Sequence, residues 1–239
     1  MCGRMVLTRS AHEIAEMFDL PGPQADCELG PRYNVAPSQD VLAIRILGDG
    51  NAQLDPLHWG LIPSWSKARS TGYRMINARC ESAAEKPSFR GALRARRCIV
   101  PADGFYEWQS PPAAVGKGKV TKIPHYFRPP DGDLLAMAGL WESWTDRTTG
   151  EVVESCSLLT CDANSDMRPV HHRMPVLLAR ADHAAWLDPL GQDVESLRPL
   201  LAPARAGTLE AIAVSTRVNN PRNEDARCIE PAPGATTPA

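Results

Sequence analysis

Short apolar runs separated by turn residues recur along the whole chain, and this pattern limits the possible folds more than any other feature. The runs are rich in β-branched and aromatic residues and are bounded by Gly, Pro, Asp or Asn, as strands in antiparallel sheets and barrels are. Strands are predicted at residues 41–46, 54–59, 97–100, 105–108, 125–128, 135–140, 157–160, 174–178 and 209–214.

A few short helices interrupt these strands. Ser10 and Glu13 form a capping-box pattern before an apolar repeat with helical spacing, so a first helix is expected after Ser10. Further helices are predicted near 88–96, 163–167, 182–186 and 194–201. The chain is therefore expected to form a single compact α+β domain, with a mainly antiparallel, barrel-like β-sheet.

The expected domain covers residues 1–231. Within it, residues 109–123 are rich in Pro, Gly and Lys and are predicted to form a mobile insert loop. Residues 232–239 are predicted to be a disordered tail, because they contain almost no large apolar side chain.

Composition excludes several classes of protein. The 239 residues are 43% hydrophobic, and 26 Lys and Arg nearly balance 28 Asp and Glu, so the chain is neither disordered throughout nor globally basic. The most apolar run, 134–141, is too short to cross a membrane. No signal peptide is evident, and the seven cysteines form no C-x-x-C pair. A cytoplasmic protein with reduced thiols is expected.

Cys2 carries the most informative chemistry. Aminopeptidase removes Met1 when residue 2 is small, which would leave an α-amine and a thiol on one residue. Both groups ionise close enough to neutral pH to react. Such an aminothiol can condense with an aldehyde to an imine and then close to a thiazolidine ring. The alternative is a residue without function at a frayed terminus.

Three further clusters could support chemistry. Asn77 and Arg79 would share one face of a strand and suit an oxyanion or a phosphate, unless the strand is simply a polar edge. Glu107 lies between two aromatic residues, a setting that favours acid–base work, although by alternation it could face solvent. The pair His171 and His172 could titrate near neutrality.

A metal site built from this pair with Cys156 and Cys161 would lack a recognised zinc spacing, so no metal and no cofactor are predicted. Arginines 90, 94, 96 and 97, with Trp59 and Trp65, are the residue types that bind single-stranded nucleic acid. Taken singly, the arginines could equally form a solvated helix face, and the tryptophans could equally belong to the core.

Taken together and in order, these pieces resemble the SRAP (SOS-response-associated peptidase) family of abasic-site processing proteins. The matching segments are MCGR at 1–4, RYNVAPSQ at 32–39, WGLIPSW at 59–65, NARCE at 77–81, RCIVPADGFYEW at 97–108, HHRMP at 171–175 and VNNPRN at 218–223.

The resemblance implies a specific reaction. Family members lose Met1, bind single-stranded DNA and join the N-terminal cysteine to the aldehyde of an abasic site as a thiazolidine, which shields the lesion. It implies four catalytic residues: Cys2, Asn77, Glu107 and His171. It implies a DNA groove lined by Arg4, Asn34, Trp65, Arg79, Thr160 and Arg173.

The same resemblance leaves smaller points open. The word peptidase could mean only self-removal of Met1, and the imine stage could also give strand cleavage by a lyase step. We expect a monomer whose partner is single-stranded DNA with abasic sites, acting in the cytoplasm at the nucleoid or replication fork.

Two other classes of function remain alternatives. Glutamine amidohydrolases with an N-terminal nucleophile also begin Met-Cys-Gly and use that cysteine with its own amine as base. A noncatalytic DNA-binding module would retain affinity without Cys2 and form no covalent product.

Overall fold

The computed structural model describes residues 2–21, 29–48, 50–110 and 122–234. Most of the predicted insert loop and the last five residues of the predicted tail lie outside these ranges. At the start of the described part of the tail, Ala232 N–H donates a hydrogen bond to the Ala213 carbonyl.

The described residues form twelve strands and five short α-helices. The strands are β1 Met5–Leu7, β2 Arg32–Val35, β3 Asp40–Ile46, β4 Ala52–Trp59, β5 Asn77–Arg79, β6 Arg97–Ala102, β7 Gly104–Gln109, β8 Ile123–Arg128, β9 Leu135–Thr145, β10 Val152–Asp162, β11 Arg173–Pro175 and β12 Glu210–Ala213. The helices are α1 Ala11–Met17, α2 Cys80–Ala83, α3 Arg90–Ala95, α4 His183–Leu187 and α5 Val194–Leu197. Short 3₁₀ turns lie at Arg69–Arg74, Arg180–Asp182, Arg198–Leu201, Thr216–Asn219 and Ala226–Cys228.

Five strands close into a barrel in the order β10-β4-β3-β6-β9, with β9 returning to β10. All of these pairs are antiparallel except β4 with β10, which run parallel over two residue pairs. The eleven-residue β10 is long enough to pair beyond the barrel with β5 and β11 as well. The predicted barrel-like α+β domain is therefore confirmed.

A second sheet flanks the barrel in the order β12-β8-β7-β1-β2, with every pair antiparallel. β1 is in its interior, so the N-terminal segment is held between two strands instead of fraying. The first helix forms as predicted, since the Ser10 hydroxyl accepts from Glu13 N–H while the Glu13 carboxylate accepts from Ser10 N–H.

The helix predicted at 163–167 is wrong, because this segment is a hydrogen-bonded turn. The Asn164 side chain accepts from Met167 N–H and donates to the Ala204 carbonyl, so it takes the part that a helical backbone would play. The short strands β1 and β2 were not predicted, since three or four residues give little periodicity. No helix in the described ranges has the length and apolar character needed to cross a membrane.

Candidate functional site around Cys2

Cys2 is buried at the start of the segment that leads into β1, with 1% of its surface exposed. The pairing of β1 with β7 aligns Met5 with Phe105, and Tyr106 N–H donates to the Arg4 carbonyl at 2.9 Å. Continuing this register carries the N-terminal residues alongside the end of β7. Cys2 is therefore held in the fold and does not lie in a frayed terminus.

Asn77 contacts this N-terminal residue directly. Its side-chain Nδ2 donates to the Cys2 backbone carbonyl at 2.6 Å. β5 is positioned by parallel pairing with β10, where Asn77 aligns with Leu158 and Arg79 with Thr160. Asn77 and Arg79 share one face of β5 while Ala78 is buried on the other, as the alternation predicts.

Glu107 is buried on β7, with only 4% of its surface exposed. The alternative of a solvent-facing position is wrong, because the Glu107 side chain is buried although the following residues of β7 are only half-buried. Burial raises the pKa of the Cys2 thiol well above its usual value, and the charge of the nearby Glu107 carboxylate raises it further. The thiol is therefore held in its neutral form.

His171 completes the cluster through its interaction with Glu107. Partial burial lowers the pKa of His171 below its usual value, while the Glu107 charge opposes that shift. His171 Nδ1 lies 3.0 Å from the Arg173 backbone nitrogen and 3.2 Å from the Arg173 carbonyl oxygen, so the backbone of Arg173 fixes the position of the ring. The ring of His172 stacks on His171 with centroids 4.5 Å apart. The structure thus brings all four predicted catalytic residues to one site.

The predicted DNA-binding residues fall into two sets, and one of them is occupied internally. Arg173 is buried, and its guanidinium binds both Glu81 carboxylate oxygens at 2.6 and 2.8 Å and Asp162 at 2.8 Å. It also donates to the carbonyl of Thr160, which is itself buried.

Arg4 and Asn34 belong to the same internal set. Arg4 donates to Asn34 Oδ1 at 2.7 Å and to the Val218 carbonyl at 2.9 Å, with its guanidinium 5.7 Å from the centre of the Trp108 ring. The buried Asn34 amide donates to three carbonyls of the 218–223 segment. Asn34 therefore holds this segment against β2.

The other set faces solvent. Trp65 is 56% exposed, and Arg79 is exposed without a hydrogen bond to its guanidinium among the described residues. These two side chains are free to meet a ligand, whereas Asn34, Thr160 and Arg173 are bound within the protein. The roles of all six in DNA binding stay predictions.

Sequence reasoning missed Glu81 and Asp162, the partners of Arg173. They are separated along the chain and meet only because β10 pairs with β5 on one side and with β11 on the other. Within the described ranges, no three His, Cys, Asp or Glu side chains are placed to hold a metal. Cys156 and Cys161 are an odd number of residues apart on β10 and point to opposite faces.

The fold is a barrel with a flanking sheet, and it encloses Cys2 among an amide, a carboxylate and an imidazole. The chain belongs to the SOS response associated peptidase (SRAP) family, whose pattern matches residues 1–221.

Two abasic site processing proteins and one crystal structure are similar to this chain. The chain is 42% identical over 231 residues, covering 96% of this chain and 99% of the relative, to the abasic site processing protein YoqW of Bacillus subtilis. It is 33% identical to the abasic site processing protein HMCES of Gallus gallus, covering 84% of this chain and 66% of that protein. A crystal structure of a protein from Bacteroides thetaiotaomicron matches with a TM-score of 0.82 at 28% identity, covering 97% of this chain and all of that one.

Proposed function

We propose that this protein processes abasic sites in single-stranded DNA by joining Cys2 to the ring-opened sugar aldehyde as a thiazolidine. The observation that carries the proposal is the convergence of Asn77, Glu107 and His171 on a buried N-terminal cysteine. The printed names of the relatives, abasic site processing proteins, supply the substrate class.

The reaction requires a free N-terminus, so removal of Met1 comes first. The α-amine of Cys2 then adds to the aldehyde carbon to give a carbinolamine, and loss of one water gives an imine. The Cys2 sulfur adds to the imine carbon, its proton passes to the ring nitrogen, and a five-membered ring closes. No oxidant, metal or cofactor enters this sequence.

Each neighbouring side chain has a role that follows from its position. Asn77 fixes the Cys2 carbonyl and so orients the amine and the thiol of the same residue. The neutral thiol must lose a proton as sulfur attacks, and the buried Glu107 carboxylate can accept it. The imidazole of His171, which lies beside Glu107, can transfer the proton that is needed for loss of water from the carbinolamine.

An abasic nucleotide suits a buried site of this kind. With no base to unstack, its sugar is exposed at little cost. Burial of the linked sugar within the protein would then protect the strand from cleavage. The self-removal of Met1 with Cys2 as nucleophile, and lyase cleavage from the imine, are secondary activities that the same groups could support. We further propose that the protein acts as a monomer in the cytoplasm.

The test is a denaturing gel after incubation with a single-stranded oligonucleotide carrying one reactive abasic site. The expected result is a heat-stable adduct with the parent protein and with Cys80→Ala, a control that removes a different thiol, which is half-buried. Cys2→Ala should give none, and neither should a tetrahydrofuran analogue, which has no aldehyde.

A heat-stable adduct with Cys2→Ala would contradict the proposal. Loss of Met1 without any adduct, together with glutamine hydrolysis, would favour the amidohydrolase alternative. DNA binding without any adduct would favour the noncatalytic module.

A further inference from the structure

The segment from Gly60 to Ile76 is an ordered loop with a closed base. Leu61 N–H donates to the Met75 carbonyl at 3.2 Å, and the Trp59 indole donates to the Ile76 carbonyl at 3.0 Å. The backbones of Gly60 and Gly72 touch, because a Cβ on Gly60 would lie 2.8 Å from the Gly72 carbonyl oxygen. The loop is therefore anchored where it leaves and rejoins the barrel.

Hydrogen bonds also fix the interior of the loop. The hydroxyls of Ser66 and Thr71 are 2.7 Å apart, and the Trp144 indole donates to the Ser66 carbonyl at 2.8 Å. A loop tied down in this way presents its outward side chains in set positions. These side chains therefore lose little conformational entropy when they bind a ligand.

Two aromatic side chains of this loop point to solvent. Trp65 is 56% exposed and Tyr73 is 64% exposed. The Tyr73 hydroxyl has no hydrogen-bond partner in the described part of the chain. Trp65 is among the residues that were predicted to bind DNA, whereas no role was predicted for Tyr73. The exposed Tyr73 ring contributes little to the core.

The charged residues in the chain segment that carries these rings are all cationic at neutral pH. No Asp or Glu occurs from residue 56 to residue 80. Lys67, Arg74 and Arg79 are exposed, and none has a carboxylate partner among the described residues. Arg69 alone of this loop's cations pairs with a carboxylate, that of Glu151. Exposed rings set among uncompensated cations suit a strand of phosphates and bases.

We propose that Tyr73 is a base-stacking platform for the single strand that flanks the abasic site, with Arg74 neutralising a phosphate beside it. This rests on the proposed function, because it takes DNA as the ligand. Tyr73 is four residues before Asn77, so their Cα atoms are at most about 14 Å apart. A nucleotide on Tyr73 is thus a near neighbour of the one at Cys2.

Binding is tested by fluorescence anisotropy with a labelled single-stranded oligonucleotide of ~15 nucleotides. The oligonucleotide carries a central tetrahydrofuran site, so that no covalent step contributes. Tyr73→Ala should weaken binding at least about fivefold, since stacking on one ring contributes roughly 1–3 kcal/mol per base. Tyr73→Phe keeps the ring and should restore most of that loss. Leu190→Ala, which removes an 85% exposed apolar side chain outside the loop, should bind like the parent.

Shortening the oligonucleotide from each end locates the contact. The difference between the parent and Tyr73→Ala should vanish once the flank on one side is removed, and it should persist when the other is removed. Equal affinity of Tyr73→Ala and the parent for every length, with unchanged melting temperatures, would overturn the proposal. So would a loss with Tyr73→Phe as large as that with Tyr73→Ala.

Failure of the proposed function has a different signature. If the parent forms no adduct with a reactive abasic oligonucleotide yet its binding depends on the Tyr73 ring, the crosslinking chemistry is wrong and the strand-binding surface stands. If the adduct forms normally and DNA affinity does not depend on the Tyr73 ring, the crosslinking chemistry stands and the proposed role of Tyr73 is wrong.

Discussion

Arg173 and Arg79 were both predicted to line the DNA groove, and the structure places them in opposite environments. Arg173 is 6% exposed and binds two carboxylates and a backbone carbonyl. Arg79 is exposed and makes no such bond among the described residues. The hydrogen bonds of Glu81 raise the pKa of Arg173 further, so its charge is fixed but already neutralised.

The same contrast separates the two halves of the site. Cys2, Glu107 and Arg173 form a buried part in which groups are held by the protein itself. Trp65, Tyr73 and Arg79 are exposed, and their side chains make no hydrogen bond among the described residues. A motif predicts which residue types occur at a site, whereas burial and internal pairing decide which of them can bind DNA and which position the chemistry.

The largest effect is expected for the buried carboxylate. Glu107→Gln keeps the shape but removes the proton acceptor and the negative charge beside the thiol. Adduct formation at saturating DNA should slow by roughly 10²–10⁴-fold, the range for loss of a general acid–base group. Affinity for the tetrahydrofuran oligonucleotide should change much less. Equal losses in rate and in affinity would instead give Glu107 a role in binding.

The two arginines should differ in their effect on stability. Arg173→Gln should lower the free energy of unfolding by about 1–3 kcal/mol, because it removes charge-assisted bonds and leaves the Thr160 carbonyl without its donor. Arg79→Gln should change it by less than about 0.5 kcal/mol. Urea denaturation of the pair measures this difference, and equal stabilities would remove the distinction between them.

Salt dependence should separate the same two variants in the opposite sense. If Arg79 contacts a phosphate, Arg79→Gln should reduce the slope of log affinity against log salt by about one. Arg173→Gln should leave the slope unchanged, since its guanidinium is already paired. A reduced slope for Arg173→Gln would show that DNA displaces Glu81 from Arg173.

The smallest effect is expected for the contribution of His171 to the pH dependence of stability. Burial lowers its pKa in the folded protein, so the unfolded chain takes up the proton first as pH falls. Its contribution to stability is complete above the usual histidine pKa of about 6.5 and is lost as pH falls through the lower folded value. An NMR titration of the ring should give a midpoint below 6.5, and a midpoint above it would mean that the Glu107 charge dominates.

Local signals in the sequence predicted much of this molecule. The capping box at Ser10 gave the first helix, and the longer alternating runs gave the barrel strands. Alternation also placed Asn77 and Arg79 on one face. Each of these depends on residues a few positions apart, so the sequence contains the whole signal.

Features that depend on long-range pairing could not be predicted in the same way. The bonds from Arg173 to Glu81 and Asp162 exist because three distant strands meet at β10. The burial of Glu107 depends on Cys2 and His171, which come from distant parts of the chain and lie beside it. The turn at Asn164 replaces a predicted helix because a side chain bonds to Ala204, forty residues away.

In the proposed reaction Cys2, once it is the N-terminus, bonds to the abasic aldehyde through both nitrogen and sulfur. Intact-protein mass spectrometry before and after incubation with a single-stranded abasic oligonucleotide tests it most directly. The expected result is a protein lacking Met1, then a heat-stable one-to-one adduct whose mass is the sum of the two partners less one water, with no adduct for Cys2→Ala. An adduct on the chain that retains Met1, or on Cys2→Ala, would contradict it.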